Sequence, residues 1–166
     1  MILLGGLGSK KIIDFAQALS TFGLKAHFLF CIGKNEEIGN EIKKIEFEPY
    51  LSYSIIGFTD RISDFMALSD IIITKSGTLS VLEGLYMQKP LLLDATTKVL
   101  PWEQYNHVFI EESGCGFSLE GYEYLIPRLL LLISHKQYIK QIKANLQKLE
   151  RKNGGEEIKK LLENIL

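Results

Sequence analysis

Gly57-Phe58-Thr59-Asp60-Arg61, then Asp70-Ile71-Ile72-Ile73-Thr74-Lys75-Ser76-Gly77-Thr78, then Pro90-Leu91-Leu92-Leu93-Asp94: these three runs decide the fold. Ile71 to Ile73 is a short β-branched run of the kind that fills a strand buried on both faces. Lys75-Ser76-Gly77-Thr78 reads as a small polar turn. A helix follows, with Leu79, Leu82, Leu85 and Tyr86 at core spacing and Glu83 on another face. Pro90 ends that helix, and Leu91 to Leu93 is the next buried strand. The unit is strand, turn, helix, strand, and its turn opens at a helix N-terminus. Such a turn presents free backbone N–H groups and the positive end of a dipole, which suits phosphate. A carboxylate at Glu83, one to two turns into the helix, can accept hydrogen bonds from the two hydroxyls of a ribose.

The same alternation extends outward. Ile2 to Leu4 is an apolar strand, Gly5-Gly6-Leu7-Gly8-Ser9 a turn, and Ile12 to Phe22 a helix with Ile12, Ile13, Phe15, Ala16 and Leu19 on one face. Ala26 to Ile32 is a second strand, Asn35 to Lys44 a polar helix and Ser52 to Ile56 a third strand. Thr59 is placed to cap a short helix running to Leu68. Beyond the central unit come a helix from about Glu103 to Ser113, a short strand from Gly114 to Ser118 and a helix from Tyr122 to Ile133. Apolar strands alternating with helices predict an α/β domain, a Rossmann-like parallel sheet sandwiched by helices. Right-handed crossovers then put ligand sites at the carboxyl ends of the strands.

The 166 residues suit one domain with a sizeable core. Charged residues make up 23% and the formal net charge is −1, so nothing in bulk electrostatics favours nucleic acid. No apolar run is long enough to span a bilayer, and the start lacks the basic region of a signal peptide. Cys31 and Cys115 have no metal-type spacing and read as buried free thiols in a reducing cytoplasm. Gly5-Gly6-Leu7-Gly8-Ser9 lacks the Gly-x-Gly-x-x-Gly spacing of a dinucleotide fingerprint, and no acidic residue closes the second strand. His27, His107 and His135 suggest neither a triad nor a metal set.

Gly57-Phe58-Thr59-Asp60-Arg61-Ile62 and Thr74-Lys75-Ser76-Gly77-Thr78-Leu79-Ser80-Val81-Leu82-Glu83 carry a specific resemblance. They resemble the donor-binding half of GT-B glycosyltransferases of family 28. That family holds the lipid II-forming N-acetylglucosaminyltransferase and the diacylglycerol glycosyltransferases. Its pattern is Gly-Phe-Thr-Asp-x-Met/Ile, followed by Thr-Lys-x-Gly-Gly/Ala-Leu-Thr-Val-x-Glu. Thr78 departs from the usual Gly or Ala, and Ser80 from Thr, although Ser80 keeps a hydroxyl. The resemblance covers about residues 1 to 120.

What the resemblance implies is a UDP-sugar site. Phe58 and Thr59 would line the uracil pocket. Lys75, Ser76, Gly77, Thr78, Leu79 and Ser80 would meet the diphosphate, and Glu83 the ribose. Gly6, Gly8 and Ser9 match a Gly-rich loop that approaches the diphosphate and the sugar. Asn35 closes Gly33-Lys34-Asn35, similar to the Gly-Arg-Asn of the diacylglycerol glycosyltransferases. Pro101-Trp102-Glu103-Gln104-Tyr105-Asn106 is similar to a Pro-Gly-Gln-Glu-x-x-Asn segment whose amides contact sugar hydroxyls. Glu103, Gln104 and Asn106 are the matching positions, Trp102 stands where Gly is common, and residues 95–100 read as a short insertion. No metal and no cofactor is implied.

A whole GT-B enzyme has two such domains, with the acceptor site and usually the base on the first. The expectation is a chain that supplies the UDP-sugar half of a hexosyltransferase, its catalytic residues unassigned. It would pair with a separate acceptor-domain chain and act on a lipid-linked or other hydroxyl acceptor. The alternatives are a truncated, inactive remnant and a non-catalytic nucleotide-binding or scaffold module. The implied location is cytoplasmic, with peripheral contact to the inner membrane face through the partner as an option.

Residues 1–133 are read as the nucleotide-sugar-binding unit and 134–166 as helices packed on it. Tyr138, Ile142, Leu146 and Leu149 recur at helical spacing, and Lys136, Lys140, Lys143, Lys148, Arg151 and Lys152 make the other faces basic. Asn153-Gly154-Gly155 is expected to break the helix before another starts at Glu156.

Overall fold

The computed structural model describes residues 1–149 and 154–165. Six strands form one parallel sheet: β1 (Ile2–Leu3), β2 (Ala26–Gly33), β3 (Leu51–Gly57), β4 (Ile72–Lys75), β5 (Leu91–Asp94) and β6 (Gly116–Leu119). Their spatial order is β3-β2-β1-β4-β5-β6. Ile2 lies between Phe30 of β2 and Ile73 of β4, and Ile73 pairs onward with Leu92 of β5. The short apolar runs are central because helices cover both faces of the sheet. Chain direction reverses between β1 and β4, which makes their carboxyl ends the topological switch point.

Helices α1 (Lys11–Leu19) and α2 (Glu36–Ile42) return the chain toward β3. Helices α3 (Ile62–Leu68), α4 (Thr78–Tyr86) and α5 (Gln104–Glu112) carry it the other way. Right-handed crossovers therefore place α1 and α2 on one face and α3 to α5 on the other. Helix α6 (Leu125–Ser134) packs beside α1, and α7 (Lys136–Lys148) packs on α6. The core holds Ile12, Phe15, Leu19 and Phe22 from α1 and the turn after it, Met66 from α3, and Ile2, Phe30, Ile72, Leu91 and Leu92 from the sheet, all fully enclosed. Helix α7 adds Ile142 and Leu146 to it.

Several sequence expectations need correction. Helix α4 does not bury the Leu79–Leu82–Tyr86 stripe. Those side chains are exposed, and Val81, Gly84 and Leu85 face the sheet. The cause is Gly84, where an added Cβ would lie 2.5 Å from Leu91 Cδ2. The helix backbone thus approaches the sheet at its one residue without a side chain, and this sets its rotation. The turn before α4 is Ser76–Gly77, since β4 extends through Lys75. Phe58, at the end of β3, is 64% exposed. Thr59 is not the N-cap of α3: Arg61 holds that position, and Thr59 Oγ1 accepts the Arg61 N–H (3.1 Å). The expected break is present, since α7 ends at Lys148, but the next helix, α8 (Gly154–Glu163), already opens at Gly154 and not at Glu156. Arg151, Lys152 and Asn153 lie outside the described residues. In α8 and the residue pair after it, Ile158, Leu161, Leu162 and Ile165 are exposed.

Candidate functional site

Most of the predicted site residues lie where the topology places them, at the carboxyl ends of the strands; Glu83 lies further along α4 and lines a cavity between α3 and α4. Thr74 is fully buried at the switch point, and its hydroxyl donates to the Leu3 carbonyl (2.8 Å). That bond locks β4 to β1 one residue before Lys75, so the turn into α4 leaves a fixed base. Gly77 is the N-cap, with extended backbone and no side-chain cap. The first helical bond runs from Val81 N–H to the Gly77 carbonyl (3.1 Å). The N–H groups of Thr78, Leu79 and Ser80 therefore point out of the helix end without helical partners.

Two side chains from α5 and the 3-10 turn before it (Pro101–Glu103) brace this turn. Asn106 Nδ2 donates to the Ser76 carbonyl (2.6 Å) and lies 3.4 Å from Thr78 Oγ1. Ser76 is buried, and its hydroxyl donates to Glu103 Oε2 (3.0 Å). Glu103 and Asn106 are three residues apart, so they share one side of the first turn of α5. Both are engaged with protein in this state; Gln104 between them is exposed. Thr78, the departure from the family pattern, uses its hydroxyl beside Asn106.

Lys75 is exposed and has no carboxylate partner among the described residues. Its Cε lies 3.2 Å and its Nζ 3.8 Å from the point where a Gly77 Cβ would sit, and Gly5 lies below it. Its cation thus stands over the helix end. A cavity of about 190 Å³ opens beside it, lined by Ser9, Lys11, Lys75, Ser76, Asp94 and Glu103 among others. Larger cavities exist, of about 640 Å³ at the amino ends of β1, β2 and β4 and about 660 Å³ between α3 and α4. Both are mainly apolar, and neither meets the open helix end, although Glu83 lines the second. Chemistry favours the smaller polar cavity.

The glycine loop meets the next loop across the switch point. The Lys34 N–H donates to the Gly6 carbonyl (3.3 Å), and Gly33 sits at φ +59 with its missing Cβ directed at that carbonyl. Gly8, at φ +82, faces the Ile32 carbonyl in the same way. Any side chain at either position would force the two loops apart. Asn35 Oδ1 accepts the Glu37 N–H (3.2 Å) and so caps α2. Phe58 lies over this junction: its ring is 3.9 Å from the Cβ position of Gly6, and Lys34 Nζ is 4.6 Å from its centroid. The exposed face of a ring held in this way can stack on a planar base.

One cluster escaped the sequence reading. Lys11 Nζ donates to Asp94 Oδ2 (2.7 Å), Thr97 Oγ1 (2.7 Å) and Thr96 Oγ1 (3.2 Å). Asp94 is buried, and its Oδ1 accepts from the Thr96 backbone N–H and hydroxyl. This set anchors the 95–100 segment that leads to Glu103. The usable signal was an acidic residue ending a buried Leu-Leu-Leu strand; its partner 83 positions away carried none. His107 is structural: its Nδ1 pairs with Ser118 Oγ (2.8 Å), and burial lowers its pKa below 6.5, opposed by Glu111, Asp94 and Glu103. His27 pairs with Ser52 and Ser54. Among the described residues no group of three or more His, Cys, Asp or Glu is placed to hold a metal, and no helix is long and apolar enough to cross a membrane.

Comparison with known proteins identifies the family and the fold. The glycosyltransferase family 28 C-terminal domain matches residues 1–162. The processive diacylglycerol beta-glucosyltransferase of Bacillus subtilis is 26% identical over 135 residues, which covers 81% of this chain and 34% of that protein. The UDP-N-acetylglucosamine--N-acetylmuramyl-(pentapeptide) pyrophosphoryl-undecaprenol N-acetylglucosamine transferase 2 of Bacillus cereus is 27% identical over 173 residues, covering 99% of this chain and 46% of that protein. The chain spans less than half the length of these relatives. Among solved structures, Acinetobacter baumannii MurG superposes with a TM-score of 0.80 at 15% identity, over 98% of this chain and 48% of MurG. The glycosyltransferase SnogD from Streptomyces nogalater superposes with a TM-score of 0.61 at 15% identity, over 89% of this chain and 39% of SnogD. At these identities the structures speak for the fold.

Proposed function

The chain belongs to the glycosyltransferase family 28 C-terminal domains, and from that premise we propose that it is the donor-binding half of a UDP-sugar-dependent hexosyltransferase. The observation that carries the reading is the open end of α4. Three backbone N–H groups, the Ser76 hydroxyl and the Lys75 cation converge there at the sheet's switch point. The diphosphate is assigned to that end, with the Ser80 hydroxyl inside the same first turn. Phe58 and Thr59 take the uracil, with Gly6, Gly8, Ser9 and Asn35 forming the adjoining loop wall. Glu83, exposed on α4, accepts from the ribose hydroxyls. Gln104 is free to meet sugar hydroxyls.

In the reaction this assigns, an acceptor hydroxyl attacks the anomeric carbon. The bond from that carbon to the β-phosphate oxygen breaks, and UDP departs with its charge held at the α4 end. A base on the acceptor half takes the hydroxyl proton. Residues 1–133 form the nucleotide-sugar unit, braced by α7, and a separate or additional acceptor domain completes the cleft. The relatives' names include diacylglycerol and an undecaprenol-linked acceptor, so a lipid-linked hydroxyl at a membrane surface is the acceptor class proposed. Titration of isotope-labelled protein with UDP tests the site. Amide signals of Thr78, Leu79 and Ser80 are expected to shift first. Shifts confined to residues around the apolar cavity at the amino ends of the strands would refute the assignment.

A further inference from the structure

Glu103 places a carboxylate where the donor reading places an anion. Its Oε2 accepts the Ser76 hydroxyl proton at 3.0 Å, and its Oε1 lies 3.7 Å from the Cβ position of Gly77, the N-cap of α4. Lys75 Nζ stands 3.8 Å from that same point, yet no Lys75–Glu103 ion pair closes. A helix end with open N–H groups attracts negative charge, and a carboxylate of the chain itself lies beside this one, held by the Ser76 hydroxyl. The segment that carries it is held from both sides. Lys11, Asp94, Thr96 and Thr97 anchor the approach, and Asn106 ties the following turn to Ser76.

We infer that Glu103 is an internal anion beside the diphosphate seat, and that its carboxylate must release the Ser76 hydroxyl and swing away before a nucleoside diphosphate can take that hydroxyl and settle on the α4 end. The inference rests on the donor-half reading and deepens it. Glu103 becomes a positioning residue that sets the affinity threshold of the site, rather than a sugar contact. The neighbouring Asn106 tie does not depend on the carboxylate, so the turn keeps its shape when Glu103 leaves. Any other anion at the helix end competes with Glu103 for the Ser76 hydroxyl, and two like charges side by side oppose each other.

The test compares wild type with Glu103→Gln and Glu103→Ala by calorimetric titration against UDP and against uridine. Both variants are expected to bind UDP about three- to tenfold more tightly than wild type, because a competing charge is gone. Uridine, which lacks phosphate, is expected to bind wild type and variants alike, and this also shows that the variants remain folded. UDP affinity that is unchanged or weaker in the variants, with uridine binding intact, would overturn the inference and leave the donor reading standing. A wild-type chain that binds neither ligand would overturn the donor reading and this inference with it.

Discussion

Asn106 reaches 30 residues back along the chain to donate its side-chain amide to the Ser76 carbonyl at 2.6 Å. That bond fastens the first turn of α5 to the turn that opens α4, and it links two segments read separately in the sequence. Replacing Asn106 by Ala leaves the Ser76 carbonyl without this donor in a partly buried setting. The expected cost is about 1–2 kcal/mol of unfolding free energy. A lower urea midpoint at unchanged slope would show it, and UDP affinity should fall in the same variant because the helix end loses its fixed position.

Lys11 and Asp94 form the second tie, at 2.7 Å, with side chains 24% and 5% exposed. Lys11→Met removes the cation and leaves a buried carboxylate. Asp94 keeps its bonds from Thr96, and Lys11 is partly solvated, so the loss should be about 1–3 kcal/mol, below that of a fully enclosed pair. Asp94→Asn should cost less than Lys11→Met. A double-mutant cycle by chemical denaturation measures the coupling.

His107 gives a pH dependence whose sign follows from its environment. Burial lowers its folded pKa below the 6.5 of an unfolded histidine. Above pH 6.5 both states are neutral at this site and stability is at its full value. As pH falls through 6.5, the unfolded chain takes up a proton before the folded chain does, so stability drops until the folded pKa is passed. His107→Gln should flatten the stability profile between pH 7.5 and 5.5. An unchanged slope would assign the pH effect to other groups.

Both cysteines are enclosed, and burial raises the Cys31 thiol to about 11 and the Cys115 thiol above 9.0. Neither offers thiolate at neutral pH. Native protein at pH 7.5 should react with a thiol-specific disulfide reagent only at the rate of opening, and unfolded protein should release two equivalents at once, one for each cysteine.

The architecture was legible because Ile71 to Ile73 and Leu91 to Leu93 are too short and too uniformly apolar to be anything but central strands between Gly, Pro and Ser punctuation. The end at which to look for a candidate site followed from that, since parallel strands with right-handed crossovers fix which end collects the loops. The rotation of α4 was not legible. Leu79, Leu82 and Tyr86 make as good a helical stripe as Val81, Gly84 and Leu85, and only the close approach of Gly84 to Leu91 separates them. Glu103 and Asn106 were legible only as positions of a segment resembling one that meets sugar hydroxyls; that they brace Ser76 could not be read from it. The Lys11–Asp94 tie lay beyond reach because neither residue carries a local pattern that names the other.

The central claim is that the open end of α4, with Glu83 beyond it, is a nucleoside diphosphate site. Calorimetric titration of the chain with UDP, with ADP as the base control and Glu83→Ala alongside, tests it most directly. The account predicts saturable binding of UDP, weaker binding of ADP, and at least a tenfold loss of UDP affinity in Glu83→Ala, since a carboxylate accepting two ribose hydroxyls is worth about 1.5–3 kcal/mol. Absence of UDP binding at millimolar concentration, or equal binding by wild type and Glu83→Ala, would contradict it.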